Sequence, residues 1–87
     1  SNFTLDQNKP NPFNPVTKIT YSLGLDGATQ IYLFDAKGTM VQKLVDEYQQ
    51  PGTYELTLDV SNLPSGNYYY KLVSGTWSET KMLTVVK

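Results

Sequence analysis

The 87-residue chain suffices for one small domain, and a domain of that size buries only about 60–65% of its unfolded surface, so every strand or helix must feed a thin core. Seven lysines face eight carboxylates, with no arginine, for a net charge of −1; this excludes the basic surplus that neutralises a nucleic-acid backbone and the bidentate clamps that only arginine forms. Cysteine and histidine are absent, which excludes disulfides, thiolate chemistry and an imidazole base, and no apolar run approaches the roughly 18 residues that cross a bilayer as a helix.

In chain order, Phe3 to Leu5 is expected as a short edge strand. No cationic and apolar leader opens the chain, so an export signal is expected on a larger precursor. Gln7 to Pro15 reads Gln-Asn-Lys-Pro-Asn-Pro-Phe-Asn-Pro. Its three prolines fix φ and remove backbone donors, which excludes an interior strand. Asn8, Asn11 and Asn14 can satisfy nearby backbone groups. Phe13 is the large apolar side chain of the stretch and is expected to plug one end of the domain. A plain proline-rich linker is the competing reading.

From Thr17 to Leu23, Ile19, Tyr21 and Leu23 alternate with Lys18, Thr20 and Ser22. The period of two predicts a half-buried antiparallel strand. Asp26-Gly27 suits a two-residue primed hairpin turn. Thr29 to Phe34 is apolar on both faces and is expected to be central. Asp35-Ala36-Lys37-Gly38 suits a type I turn closed by a left-handed glycine. Met40 to Val45 is the next strand, after which Asp46 and Glu47 are expected to close a loop. Pro51-Gly52 fits the centre of a type II turn. Gly52 to Val60 alternates again, with Tyr54, Leu56, Leu58 and Val60 on one face. Residues 61–66 form a looped crossover. Tyr68 to Val73 and Trp77 to Val86 complete the set, joined by a turn at Ser74-Gly75. Together these predict an all-β fold: an Ig-like antiparallel β-sandwich of about seven short strands. The chain is expected to be a single domain over 1–87, with 8–15 as an Asn/Pro-rich capping segment and 17–87 as the sandwich body.

Catalysis finds little support, because the hydroxyl residues lack a base partner. Asp35 and Asp59 read as turn residues, and no Asp-x-Asp-x-Asp-Gly pattern marks a Ca²⁺ loop. No catalytic residue, metal or cofactor is expected. Tyr32, Tyr48, Tyr69 and Trp77 are candidate exposed aromatics, and Tyr32, Tyr69 and Trp77 are the candidate glycan contacts. The competing expectation is core or cross-strand packing. Lys71 and Lys81 interrupt apolar strands, as an edge lysine that blocks aggregation does, or as a recognition lysine does.

The run Asn8 to Leu23, Asn-x-Pro-Asn-Pro-Phe-Asn-Pro-x-Thr-x-Ile-x-Tyr-x-Leu, resembles the opening of the type A C-terminal sorting domains of the type IX secretion system. The likeness continues through Tyr32-x-Phe34-Asp35-x-x-Gly38-x-x-Val41, Pro51-Gly52-Thr53-Tyr54 and Leu63-x-Ser65-Gly66-x-Tyr68-x-Tyr70-x-Leu72. Asn11, Pro12, Phe13, Asn14 and Pro15 match the structural motif. Gly66, Tyr68, Gly75, Lys81 and Lys87 match the terminal sorting signature, with Lys81 the expected recognition lysine. The chain departs from the family pattern at Lys9, usually aromatic, and at Thr39, often arginine.

The resemblance implies a non-catalytic signal at the end of a secreted protein, carrying an N-terminal passenger across the periplasm and through an outer-membrane translocon. It implies a sortase-like protease, an anionic lipopolysaccharide as a further partner, and a secreted or outer-membrane cell-surface location. A flagellar hook-cap protein has a similar Asn-Pro-Phe-Asn-Pro start, which would make this a structural assembly module. Against it, Leu58-Asp59-Val60 stands where a Trp-Asp-Gly sequence is expected, and the chain stops after the Lys81 to Lys87 strand as a sorting domain would. A carbohydrate-binding module is the third class.

Overall fold

The computed structural model describes residues 3–9 and 16–86. Among them are seven strands: β1 (Thr4–Leu5), β2 (Val16–Leu23), β3 (Gly27–Asp35), β4 (Met40–Gln49), β5 (Gly52–Asp59), β6 (Gly66–Ser74) and β7 (Trp77–Val85). The order β1-β2-β5 makes one antiparallel sheet and β4-β3-β6-β7 the other. The expected all-β sandwich is therefore what forms. The chain changes sheet after β2, β4 and β5, through short connections over 24–26, 50–51 and 60–65, as the strands of an Ig-like sandwich do.

Alternation explains the layering. Thr17, Ile19, Tyr21 and Leu23 of β2 point inward against Ile31 and Leu33 of β3, Tyr68, Tyr70 and Leu72 of β6, and Leu83 and Val85 of β7. Each buried Leu or Ile contributes about 1.5–3 kcal/mol relative to exposure. Strand β3 lies between β4 and β6, which is why Tyr32 and Phe34 on its second face are also partly covered.

The Asp35 hairpin is as expected. The Gly38 N–H donates to the Asp35 carbonyl at 3.0 Å, Gly38 has φ 89°, and Asp35 Oδ1 accepts from the Lys37 and Thr39 amides. Gly75, at φ 61°, takes the first place of the two-residue Gly75-Thr76 turn between Ser74 and Trp77, the place that a type II′ turn gives to glycine.

Three local expectations are corrected. Asp26-Gly27 is no hairpin turn: β2 and β3 lie in different sheets, and Gly27 opens β3 without a positive φ. Pro51-Gly52 likewise joins β4 to β5 across the two sheets, and Gly52 sits at φ 150°, far from the roughly +80° of a type II turn. Asp46 and Glu47 do not close a loop; they extend β4 opposite Gln30 and Thr29. A strand at a sheet edge tolerates carboxylates because one side of it is solvated. Leu44 and Val41 are the extra residues at two register shifts in that pairing, and such bulges twist an edge strand away from its neighbour.

Candidate functional site

Four of the five terminal-signature residues fall on one unit, the β6–β7 hairpin. Gly66 opens β6 opposite Val85 with φ 153°, a conformation that L side chains rarely adopt. Tyr68 is buried, and its hydroxyl donates to the Pro64 carbonyl at 2.8 Å, four residues upstream. That bond fastens the crossover to the strand it enters, as the tyrosine corner of Ig-like sandwiches does. Gly75 makes the hairpin turn. Lys81 stands on β7, the free edge of the four-stranded sheet, opposite Tyr70. Lys87 lies outside the described residues, as do Asn11, Pro12, Phe13, Asn14 and Pro15, so the expected Phe13 plug does too.

Lys81 has the parity of the inward residues Leu83 and Val85, but at the rim of the sandwich its side chain is still 34% exposed. It pairs with Glu79 at 3.3 Å. A pair this exposed contributes about 0–1 kcal/mol. The lysine side chain is thus half-buried on an edge strand, with its ammonium group paired to Glu79.

Its cross-strand neighbour Tyr70 is fully buried and holds the N-terminal segment. The Asn8 N–H donates to Tyr70 Oη, which donates to the Asp6 carbonyl, both at 2.8 Å. Asn8 is 1% exposed, and its Nδ2 donates to Thr17 Oγ1 at 3.1 Å. The Gln7 side chain donates to the Met82 carbonyl on β7. Lys9 bridges to Lys18 of β2, and Phe3 stacks on Trp77 at 5.1 Å. Residues 3–9 therefore strap the open seam, hydrogen-bonded to β2 of one sheet and to β6 and β7 of the other. Burial, partly offset by the Asn8 amide that favours the phenolate, pushes the Tyr70 hydroxyl up to about 12. It stays neutral, able to donate and accept at once.

The sequence singled out Asn8 for backbone satisfaction but missed the role of Tyr70, which stands last in a run of three tyrosines with nothing to set it apart. A buried tyrosine needs a partner for its hydroxyl; only the fold identifies which.

The three candidate glycan contacts do not share a surface. Tyr32 and Tyr69 lie on the outer face of the four-stranded sheet, while Trp77 is on the opposite face, partly buried against the core and stacked on Phe3. Tyr48 is 65% exposed and donates to the Asp26 carboxylate. Among the described residues no three acidic side chains gather to hold a metal ion, and no helix is long and apolar enough to cross a membrane.

A family model described as "Secretion system C-terminal sorting domain" matches residues 10–86. No curated protein and no solved structure matches the chain.

Proposed function

Because this chain belongs to the family of secretion system C-terminal sorting domains, we propose that it carries an N-terminal passenger through an outer-membrane type IX translocon to the cell surface. The observation behind this is the family match across almost the whole chain, 10–86. A sorting domain of this kind implies a passenger ahead of it and a secreted or cell-surface product. Its family suggests a non-catalytic role.

The finer steps extend that reading. The route runs through the periplasm, a sortase-like protease acts at the surface, and an anionic lipopolysaccharide receives the passenger. Gly66, Tyr68 and Gly75 shape the hairpin that presents Lys81, and Lys81 with Lys87 is read by the machinery. A partly exposed lysine side chain on an edge strand supports Lys81 in this role. A glycan-stacking reading gains less support, since the Tyr32 and Phe34 rings are tilted by 52° and make no common plane.

The test is a reporter with its own export signal, fused ahead of this chain in a host with type IX secretion. The reporter is expected in the medium or on the cell surface. Lys81→Ala is expected to reduce that fraction while the thermal midpoint stays close to the parent's. A reporter that stays periplasmic with the intact chain attached would overturn the sorting function.

A further inference from the structure

The two outer faces of the sandwich differ in character. On the three-stranded sheet the outward side chains are Lys18, Thr20 and Ser22 from β2 and Thr53, Glu55 and Thr57 from β5, with Lys18 paired to Glu55. That is an ordinary solvated surface. On the four-stranded sheet one register row runs Met40, Phe34, Tyr69, Met82, one residue from each of β4, β3, β6 and β7. Met40 is 52% exposed, Tyr69 37% and Met82 44%. The next row places Lys43, Tyr32, Lys71 and Thr80 beside it.

An apolar row that crosses every strand of a sheet is not the scatter of single exposed residues that a small domain normally shows. Aromatic residues and methionine are the types enriched where proteins meet proteins. The charge around the row has a sign. Lys43 and Lys71 flank it against one carboxylate, Asp46, which Lys43 already holds at 3.1 Å. No described carboxylate lies within ion-pair distance of Lys71. Two copies meeting through this face would bring their lysine-flanked rows together, with like charges opposed. A complementary partner brings acid.

We infer that this outer face, the Met40-Phe34-Tyr69-Met82 row with Lys71 beside it, docks a protein that presents an apolar surface bearing carboxylates. The docking face rests on the sorting function proposed above and names the chemistry of one partner in it. A glycan suits the face less well: tilted rings and flexible methionines make no stacking plane, whereas both adapt to side chains.

The experiment uses the reporter fusion in the secreting host. A photo-crosslinking phenylalanine replaces Tyr69, and export is followed for Met40→Ser with Met82→Ser, for Lys71→Gln and for Lys71→Glu. Thr20→Ala with Thr57→Ala on the other face is the control. The methionine pair is expected to lower surface reporter by about tenfold, with a thermal midpoint within about 4 °C of the parent's. Lys71→Glu is expected to lose more than Lys71→Gln, and the crosslink from position 69 to an envelope protein to fade with Lys71→Glu. The control variant is expected to export normally. If the methionine pair proves unstable, the two Lys71 variants, which differ in charge on the outer face, decide the matter. Normal export of Lys71→Glu and of the methionine pair overturns the docking face and leaves sorting intact. Failure of the unmodified fusion to export removes the sorting function itself. Binding of alginate by the parent, lost in these variants with no protein crosslink, makes the face a glycan site and overturns the inference.

Discussion

Asn8 and Tyr70, 62 residues apart, share a hydrogen bond at 2.8 Å inside the protein, and the same tyrosine hydroxyl donates onward to the Asp6 carbonyl. One side chain from β6 thus serves two backbone groups of the strap. Tyr70→Phe keeps the ring and removes both bonds. Taking the acceptor from a buried N–H costs about 1–3 kcal/mol. Urea unfolding is expected to show that loss, with an m-value near the parent's; a change under about 0.5 kcal/mol would mean the strap is not held there.

The same hydroxyl makes stability sensitive to alkali. Its folded pKa of about 12 lies above the ordinary 10.0, so the folded state holds the proton more tightly than the unfolded chain does. Stability from this group is complete below about pH 10 and is lost as pH rises toward about 12, for a total of about 2–3 kcal/mol. Tyr21, raised chiefly by its burial, acts in the same direction. Unfolding at about pH 8 and about pH 11 is expected to show the decline, and Tyr70→Phe to make it shallower. Equal decline in both proteins would assign the effect elsewhere.

Leu83 is fully buried on β7. Leu83→Ala is expected to cost about 2–5 kcal/mol, a large fraction of what so small a domain has. Deleting 81–87 removes Leu83 and Val85 together, so its effect on export reports folding as much as recognition. Lys81→Ala, expected to cost at most about 1 kcal/mol by calorimetry, separates the two. A Lys81→Ala midpoint as low as that of Leu83→Ala would make the lysine structural.

Gly75 has open space around a hypothetical Cβ but a φ of 61°. Gly75→Ala is therefore strained by backbone conformation alone, at about 1 kcal/mol, and Gly75→Asn by less. Export of the two variants is expected to follow their thermal midpoints. Lost export at full stability would mean that the turn is read directly.

The layering was legible because period-two alternation survives in β2 and β5. Ile19, Tyr21 and Leu23 needed only their spacing to be placed inward. The crossings between sheets were not legible. Asp26-Gly27 has the chemistry of a hairpin turn and Pro51-Gly52 that of a type II turn, and only the pairing of β2 with β5 and of β3 with β4 shows that the chain leaves one sheet there. The far half of β4 was missed because an edge strand needs no apolar alternation where Asp46 and Glu47 meet solvent. In the candidate site, the glycines and Lys81 could be placed by motif, but the link from Lys81 through Tyr70 to Asn8 depends on contacts between distant parts of the chain.

The strap also bears on the order of assembly. Its ladder partners in β2 follow it closely along the chain, but Tyr70, Trp77 and Met82 belong to the last two described strands. A chain made from its N-terminus onward can close the β1–β2 ladder early, yet Asn8 and Phe3 must wait for β6 and β7 before they find their remaining partners. Docking of the strap is therefore a late event that registers completion of the opposite sheet, and a nascent chain that stops short of β7 leaves its own beginning half fastened.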